Sequence, residues 1–365
     1  MSPLPGSYWR AMSSVLDRAT SVGARVDDVL RCFVEEQAKA LSGLDGRLGA
    51  LTVEVADLVA AGGKRLRPAF VYWGHRAAGG GDEEATVHVG AAVEMLHTFA
   101  LLHDDVMDRA DTRRGRAAAA HAFTRQASER GAADPAWFGT SAAILAGDLA
   151  FVWADRLLDT TPAGAAAAAR LREVFTTLRL EVMAGQYLDL CLDGGPPADP
   201  ETACRIALLK SGRYTVTRPL QLGLAIVDDV GADLERALQT YGDAIGVAFQ
   251  LRDDILGLFG DPARTGKGCL DDIRAGKRTL LISRALALAA PGERRVLDRA
   301  LGDRNVGDEA VAACRDIVAG NGALASVEEL LRSGHDAAVA ALRIVPDPAR
   351  SALCELAAAA VGRDH

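Results

Sequence analysis

An apolar run in this sequence ends in three aspartates, in the segment LLHDDVMDR. Asp104 and Asp108 are four residues apart, so on a helix they share one face, with Asp105 beside them. Carboxylates at this spacing repel one another. Mg²⁺ prefers oxygen ligands and would relieve that repulsion. The pattern predicts a magnesium-binding helix end. A solvated acidic turn, balanced by the arginines that follow, is the competing interpretation.

A second acidic helix end changes the balance between these interpretations. The segment FQLRDDILG repeats the apolar approach and ends in Asp253 and Asp254, with Gln250 one turn before Asp254. Two such ends can face each other across a helical bundle, where sites are built from facing helices. Because Mg²⁺ usually completes its shell with water and phosphate oxygens, we expect a diphosphate that bridges both clusters through metal.

Basic residues occur in compact groups along the same part of the chain. Each group alone is more often solvated surface, and the Gly62-Gly63 pair does not match a phosphate-binding P-loop. Together they supply cations for two diphosphates, one held through metal and one held directly, since Arg can grip phosphate with two hydrogen bonds. The basic residues are Lys64, Arg65, Arg67, Arg113, Arg114, Lys210, Lys267, Lys277 and Arg278.

Composition predicts the elements that position these groups. The chain has 365 residues, 5% aromatics and a net charge of −8, so the bulk charge does not favour nucleic-acid binding. Gly/Pro-rich breaks separate stretches of roughly 20–30 residues with helical periodicity. We expect an all-α fold: a flexible N-terminus over 1–20 and one helical domain over 21–365. Six cysteines without CxxC pairs favour reduced thiols in the cytoplasm, and no uninterrupted apolar run reaches the ~20 residues of a membrane span.

The ordered motifs resemble those of trans-isoprenyl diphosphate synthases, the polyprenyl synthetase family. They are GGKRLRP, HTFALLHDDVMD, RRG, Gly147-Asp148, Gly185-Gln186, Lys210-Ser-Gly, FQLRDDILG and GKRTL. The resemblance implies an isoprenoid-synthase-type helical bundle with a deep central cavity, usually a homodimer. The implied reaction joins isopentenyl diphosphate to an allylic diphosphate with Mg²⁺, three ions per site once substrate is bound.

The resemblance also implies roles for individual residues. Magnesium would be bound by Asp104, Asp108 and Asp253, with Asp105 and Asp254 in support. The allylic diphosphate would be held by Arg113, Lys210 and Lys267. Isopentenyl diphosphate would be held by Lys64, Arg67, His97 and Arg114. Ser211 and Gln250 would lie near the developing carbocation, and Lys277 would reach a diphosphate. His97 alone would be interpreted as a core histidine. Gly257 departs from the pattern by standing where the family has a third acid, which leaves the role of the nearby Asp261 open.

Product length would depend on the side chains above Asp104. Phe99 lies five residues before Asp104, a helical rise of ~7.5 Å, and Ala100 lies four before. A bulky Phe99 beside a small Ala100 resembles the geranylgeranyl-producing type, although Phe99 as ordinary core packing is the simpler alternative.

Three other functions remain open. One is a synthase that makes farnesyl or longer products. Another is a class I terpene cyclase, which would not need the basic grip on isopentenyl diphosphate. The third is a non-catalytic partner subunit, which should have lost the acidic pairs that this chain retains.

Overall fold

The chain divides into two compact units of helices. A computed structural model describes residues 6–81, 84–192, 199–260, 271–274, 276–303 and 305–362. Unit 1 comprises Met1–Arg172 and Ala225–Asp228, and unit 2 comprises Glu173–Leu224 and Asp229–His365. The expected single domain over 21–365 stays a prediction.

Over its described residues, unit 1 is built from helices and one very short hairpin. The expected flexible segment 1–20 overlaps its first helix, which begins at Gly6. The elements are α1 (Gly6–Leu44), α2 (Gly49–Ala60), α3 (Leu66–Ala77), α4 (Glu84–Met107), β1 (Thr112–Arg113), β2 (Arg116–Ala117), α5 (Ala119–Glu129), α6 (Pro135–Asp159) and the first part of α7 (Ala165–Cys191), with a 3₁₀ turn at Gly46–Leu48.

Unit 2 continues with the rest of α7 and consists of helices throughout its described residues. Its other elements are α8 (Pro200–Ala207), a π-helical segment (Leu208–Thr217), α9 (Arg218–Ala225), α10 (Ala232–Phe259), α11 (Asp271–Arg274), α12 (Leu280–Leu288), α13 (Pro291–Ala300), α14 (Asp308–Gly320), α15 (Ala323–Ala341), a 3₁₀ turn (Leu342–Ile344) and α16 (Ala349–Val361). The all-α prediction is confirmed.

α4 is the central helix of unit 1 and packs against α6, α3 and α1. Its middle, including Ala91, Ala92, Val93 and Leu96, is fully buried. The small alanines let neighbouring helices approach closely, while Val93 and Leu96 supply apolar area. α4 is therefore a fixed rod that carries the first acidic cluster at its C-terminal end.

α4 and α6 are also long and apolar enough to cross a membrane by length and composition alone. In unit 1 they pack against each other, and 72% of the apolar window of α4 is buried, against 39% for α6. Core helices of water-soluble proteins pass the same test, so this feature is weak support for a membrane span.

Unit 2 is organised around α10. The backbones of α10 and the π-helical segment touch at Gly246 and Gly212. The approach is so close that a Cβ on Gly246 would lie 2.5 Å from the Cα of Gly212. Farther along α10 the buried Tyr241 hydroxyl donates to the Leu353 carbonyl at 2.8 Å. These contacts fix α10, which carries the second acidic pair near its C-terminal end.

Candidate active site

The first acidic cluster lies where α4 ends. The Asp108 amide donates to the Asp104 carbonyl at 2.8 Å, and the Ala110 amide donates to the Asp105 carbonyl at 2.9 Å. The side chain of Asp104 is 29% exposed, and Asp108 is exposed. Two carboxylates one turn apart are therefore accessible to a ligand at this helix end.

Asp105 is different because it is buried and paired with Arg113. Arg113 donates from Nε to Oδ1 of Asp105 at 2.7 Å and from Nη2 to the same oxygen, and its Nη2 also lies 3.4 Å from Asp104. Burial raises the pKa of the Asp105 carboxyl, and the hydrogen bond from Arg113 opposes that rise. Arg113, predicted to hold the allylic diphosphate, is thus tied to the acidic cluster in this structure.

Arg113 and Arg114 are presented by the β1–β2 hairpin, which the sequence analysis did not predict. Thr112 pairs with Ala117, and Arg113 pairs with Arg116. The two turn residues, Arg114 and Gly115, both have positive φ, 51° and 76°, as a type I′ turn requires. The sequence Arg-Gly is a weak signal for that turn, and strands of two residues are too short for alternation to show.

The turn carries Arg114 onto the GGKRLRP loop. Its Nη1 donates to the Gly62 carbonyl and lies 3.4 Å from the Leu58 carbonyl. Burial lowers the pKa of Arg114, and the positive charge of Arg65 lowers it further. The structure therefore brings two of the predicted basic motifs together within unit 1.

His97 lies close to these cations. Burial, followed by the charges of Arg67 and Arg114, lowers the pKa of His97 well below its usual range, so the ring is neutral near pH 7. Arg67 is half-buried, and Lys64 is exposed three residues before it. We call Lys64, Arg67, His97 and Arg114 the basic cluster. Mutual repulsion among cations makes such a cluster suited to an anion.

Phe99 belongs to an aromatic group on α4 and α6. Its ring meets those of His103 and Phe151 edge to face, with centroids 4.8 and 4.9 Å apart. Nε2 of His103 lies 2.9 Å from the Ile144 carbonyl. The His103 ring also packs on Gly147, so closely that a Cβ at that position would lie 2.1 Å from the ring. Ala100 is half-buried. Gly147 of the Gly147-Asp148 motif thus permits close packing against α4.

The second acidic cluster lies on α10 in unit 2. Asp253 is exposed and Asp254 is buried. The Gln250 amide nitrogen donates to Oδ1 of Asp254 at 2.8 Å, so the two predicted site residues are joined one turn apart. Gly257 lies on the same helix before its end at Phe259. Asp261 and Lys267 lie outside the described residues.

Lys210 and Ser211 lie in the π-helical segment, a form frequent at functional sites. Lys210 Nζ is 2.6 Å from Oδ2 of Asp189 on α7. A Cβ on Gly185 would lie only 2.4 Å from the Lys210 amide nitrogen, so this glycine permits the helix contact that places the lysine. Lys277 is half-buried and precedes α12, whose first turn is capped by Thr279.

Several charged residues of these surroundings were not predicted as site residues. Asp189 pairs with Lys210, and Glu94 pairs with Arg65. Glu181 binds Arg218 and Arg213, and Arg213 also binds Asp243. Only Asp189 carried a sequence signal, since it follows the Gly185-Gln186 motif closely; the others become visible through tertiary pairing.

Within the described part of the chain, no group of three or more His, Cys, Asp or Glu side chains is arranged to hold a metal ion. The donor set still suits magnesium, which takes one or two carboxylates and completes its octahedron with water and phosphate oxygens. Asp104 and Asp108 present such a pair on one helix face.

Known proteins are similar to this chain over most of its length. The polyprenyl synthetase family model matches residues 50–318. A geranylgeranyl diphosphate synthase of Mycobacterium tuberculosis is 31% identical over 95% of this chain and 94% of its own length. A geranylfarnesyl diphosphate synthase of Aeropyrum pernix is 33% identical over 75% of this chain and 81% of its own.

A solved structure is similar over nearly the whole chain. The crystal structure of geranylgeranyl pyrophosphate synthase from Corynebacterium glutamicum, complexed with isoprenyl diphosphate and magnesium, has a TM-score of 0.88 and 34% identity. It covers 94% of this chain and 98% of its own. The motifs, the helical fold and these matches show that the chain belongs to the polyprenyl synthetase family and is a trans-prenyltransferase.

Proposed function

We propose that this enzyme condenses isopentenyl diphosphate with an allylic diphosphate in the presence of Mg²⁺ and releases geranylgeranyl diphosphate as its main product. The observation that carries the proposal is that one helix contributes to two clusters of opposite charge. α4 bears His97 in the basic cluster and Asp104 in the acidic cluster, a helical distance of roughly 10 Å. Direct cations suit one diphosphate, and carboxylates with metal suit the other.

The basic cluster supports binding of isopentenyl diphosphate. Lys64, Arg67 and Arg114 offer charged donors, and neutral His97 offers a ring N–H to a phosphate oxygen. Binding here needs no metal, because the charges come from the protein. A class I terpene cyclase has no use for this second anion site, which disfavours that alternative.

The acidic clusters support binding of the allylic diphosphate through magnesium. Asp104, Asp108 and Asp253 would hold the ions, three when substrate is bound, with Asp105 and Asp254 in support. When bound, Mg²⁺ neutralises the leaving diphosphate. Arg113, Lys210, Lys267 and Lys277 would add charge to the same group. A non-catalytic subunit would not need these acids, so their retention disfavours that role.

The chemistry requires no nucleophilic side chain. The allylic C–O bond breaks as cations stabilise the departing diphosphate. The double bond of isopentenyl diphosphate then forms the new C–C bond, and the proton lost from the condensed product would pass to the released diphosphate. Ser211 and Gln250 would lie near the developing positive charge, and apolar side chains would exclude water from it.

Phe99 and Ala100 support a product of geranylgeranyl length. The Phe99 ring is backed by Phe151 and His103, so it forms a firm wall five residues above Asp104 on α4. The relatives include synthases named for geranylgeranyl and for geranylfarnesyl products, so farnesyl and longer products are the alternatives.

A homodimer in the cytoplasm completes the proposal. α6 exposes an apolar stripe in which Leu145 is 57% and Val152 is 60% exposed, and exposed apolar patches mark interaction surfaces. In unit 2, α7 exposes Leu180, Met183 and Tyr187. Free thiols at Cys32, Cys191, Cys204, Cys314 and Cys354 are consistent with a reducing compartment.

Product analysis tests the proposed function. The protein is incubated with Mg²⁺, isopentenyl diphosphate and each allylic primer in turn, and the dephosphorylated products are separated by chromatography. We expect geranylgeraniol from dimethylallyl, geranyl and farnesyl diphosphates, and no product when Mg²⁺ is chelated. Farnesol or longer alcohols as the main product would contradict the proposed product length. Cyclised hydrocarbons would contradict the proposed condensation reaction.

A further inference from the structure

Arg65 lies between Lys64 and Arg67 but differs from both in conformation. It precedes the first residue of α3 with left-handed backbone angles, φ 47° and ψ 39°. Residues other than glycine adopt this region infrequently, at a cost in backbone energy. Its side chain is only 8% exposed. A long cation in a strained and buried position requires partners that hold it there.

Three helices supply those partners. Arg65 donates from Nε to Oδ1 of Asp27 on α1 at 2.8 Å and from Nη2 to the Val59 carbonyl on α2 at 3.1 Å. Its Nη1 donates to Oε2 of Glu94 on α4 at 2.5 Å, where the glutamate side chain is 5% exposed. The planar guanidinium therefore links α1, α2 and α4 to the start of α3.

The ion pair with Glu94 also connects the loop to the basic cluster. Glu94 lies three residues before His97 on α4, almost one helical turn away. The charge of Arg67, two residues after Arg65 in the sequence, acts electrostatically on His97. Fixing Arg65 on Glu94 therefore fixes the backbone from which Lys64 and Arg67 both extend, relative to the helix that carries His97.

We propose that Arg65, held by Glu94, is a positioning residue that sets Lys64 and Arg67 in register with His97 for the diphosphate of isopentenyl diphosphate. The proposal rests on the proposed function of the basic cluster. In this proposal Arg65 acts by holding the GGKRLRP loop in place, because its guanidinium is already bound by protein groups.

A purely structural ion pair would behave differently under mutation. Replacing a buried ion pair by apolar residues of similar size is often neutral or stabilising, whereas removing one partner leaves a buried charge. The double variant Arg65→Met/Glu94→Met therefore separates stability from positioning. Arg65→Lys keeps the charge and loses the planar fork.

The test measures KM for each substrate, kcat and urea unfolding for both variants. We expect the double variant to remain folded while its KM for isopentenyl diphosphate rises about tenfold to a hundredfold, the penalty of misplacing binding groups by about 1 Å. KM for the allylic diphosphate should change by less than about twofold on the same reasoning. Arg65→Lys should show a smaller rise of the same kind.

Arg170→Met is the matched control. Arg170 lies in the same unit, donates to Asp228 at 2.7 Å and to the Ala225 and Val227 carbonyls at 3.1 and 3.2 Å, and does not belong to the basic cluster. It should change stability without changing either KM. An unchanged KM for isopentenyl diphosphate in a folded Arg65 variant, or an equal rise of both KM values, would overturn the proposal.

Calorimetric titration of isopentenyl diphosphate, without metal or allylic substrate, separates this proposal from the proposed function. If the wild-type protein binds it but makes no prenyl product, the proposed function fails, and weaker binding by the Arg65 variants still supports positioning. If the wild-type protein neither binds it nor makes prenyl product, both fail.

Discussion

Nε of Arg113 lies 2.7 Å from Oδ1 of Asp105, so the buried carboxylate of the first acidic motif is neutralised by the protein itself. Its neighbours Asp104 and Asp108 remain accessible at the end of α4. Three aspartates that look equivalent in sequence therefore differ in environment: one is buried and paired with the β1–β2 hairpin, and two are accessible at the helix end.

Asp105→Asn should reduce stability, and Asp104→Asn should reduce turnover. Removing the charge of Asp105 leaves the partly buried Arg113 poorly paired, at a cost of about 1–3 kcal/mol, and this is measurable by urea unfolding. Asp104→Asn should lower kcat by about a hundredfold or more, because one metal ligand is lost, with a small change in stability. Asp111→Asn, at an exposed acid just beyond the helix, is the control for both. Unchanged stability in Asp105→Asn would contradict the division of roles.

His97 should make stability depend on pH. The pKa of His97 in the folded protein is lowered by burial and by neighbouring arginines. Below about pH 6.5, His97 therefore becomes protonated in the unfolded chain while it stays neutral in the native protein. The stability attributable to His97 is present above that pH and is lost as the pH falls below it. The difference in unfolding free energy between wild type and His97→Gln should therefore shrink between pH 7.5 and 5.5. The exposed His121→Gln controls for nonspecific acid effects, and a difference independent of pH would refute the explanation.

Phe99→Ala should lengthen the product. The Phe99 ring is backed by Phe151 at 4.9 Å, so removing it opens space above Asp104. Chromatography of the products from farnesyl diphosphate should show alcohols longer than those of the wild type. Phe138→Ala, at an exposed position on α6, should leave product length unchanged. If Phe99→Ala makes the same product as the wild type, Phe99 contributes to core packing and does not limit product length.

Gly185→Ala should disturb Lys210 through its backbone. The added Cβ would lie 2.4 Å from the Lys210 amide nitrogen and 2.7 Å from its Cα, too close without a backbone shift. Overpacking of this kind costs about 1–3 kcal/mol, and we also expect a higher KM for the allylic diphosphate. The control is Gly231→Ala, where the added Cβ would have no atom within 4 Å apart from those of its own chain neighbours. A wild-type KM in the Gly185 variant would argue against placement of Lys210 by this contact.

Features that depend on local pattern were predictable from the sequence. Helical periodicity and the apolar runs before Asp104 and Asp253 indicated the helices and the ends that carry acids. The ordered motifs then indicated the family, because each motif pairs a charge type with a helix end or a loop.

Features that depend on backbone strain or on a distant partner were not predictable. Arg65 looks like its neighbours Lys64 and Arg67, and only its left-handed backbone and its pairing with Glu94 distinguish it. The β1–β2 hairpin is too short for alternation. The π-helical segment around Lys210 packs closely against Gly185 and Gly246, and no local pattern in the sequence indicated either contact.

The proposed function requires Asp104 and Asp253 to act on one allylic diphosphate through Mg²⁺. Calorimetric titration of farnesyl thiolodiphosphate into wild type, Asp104→Asn, Asp253→Asn and the double variant, with and without Mg²⁺, tests it directly. We expect Mg²⁺-dependent binding that either single change weakens strongly and the double change weakens little further, a coupling of about 1–3 kcal/mol. Additive losses, or an Asp253→Asn variant that binds as tightly as wild type, would contradict a shared site.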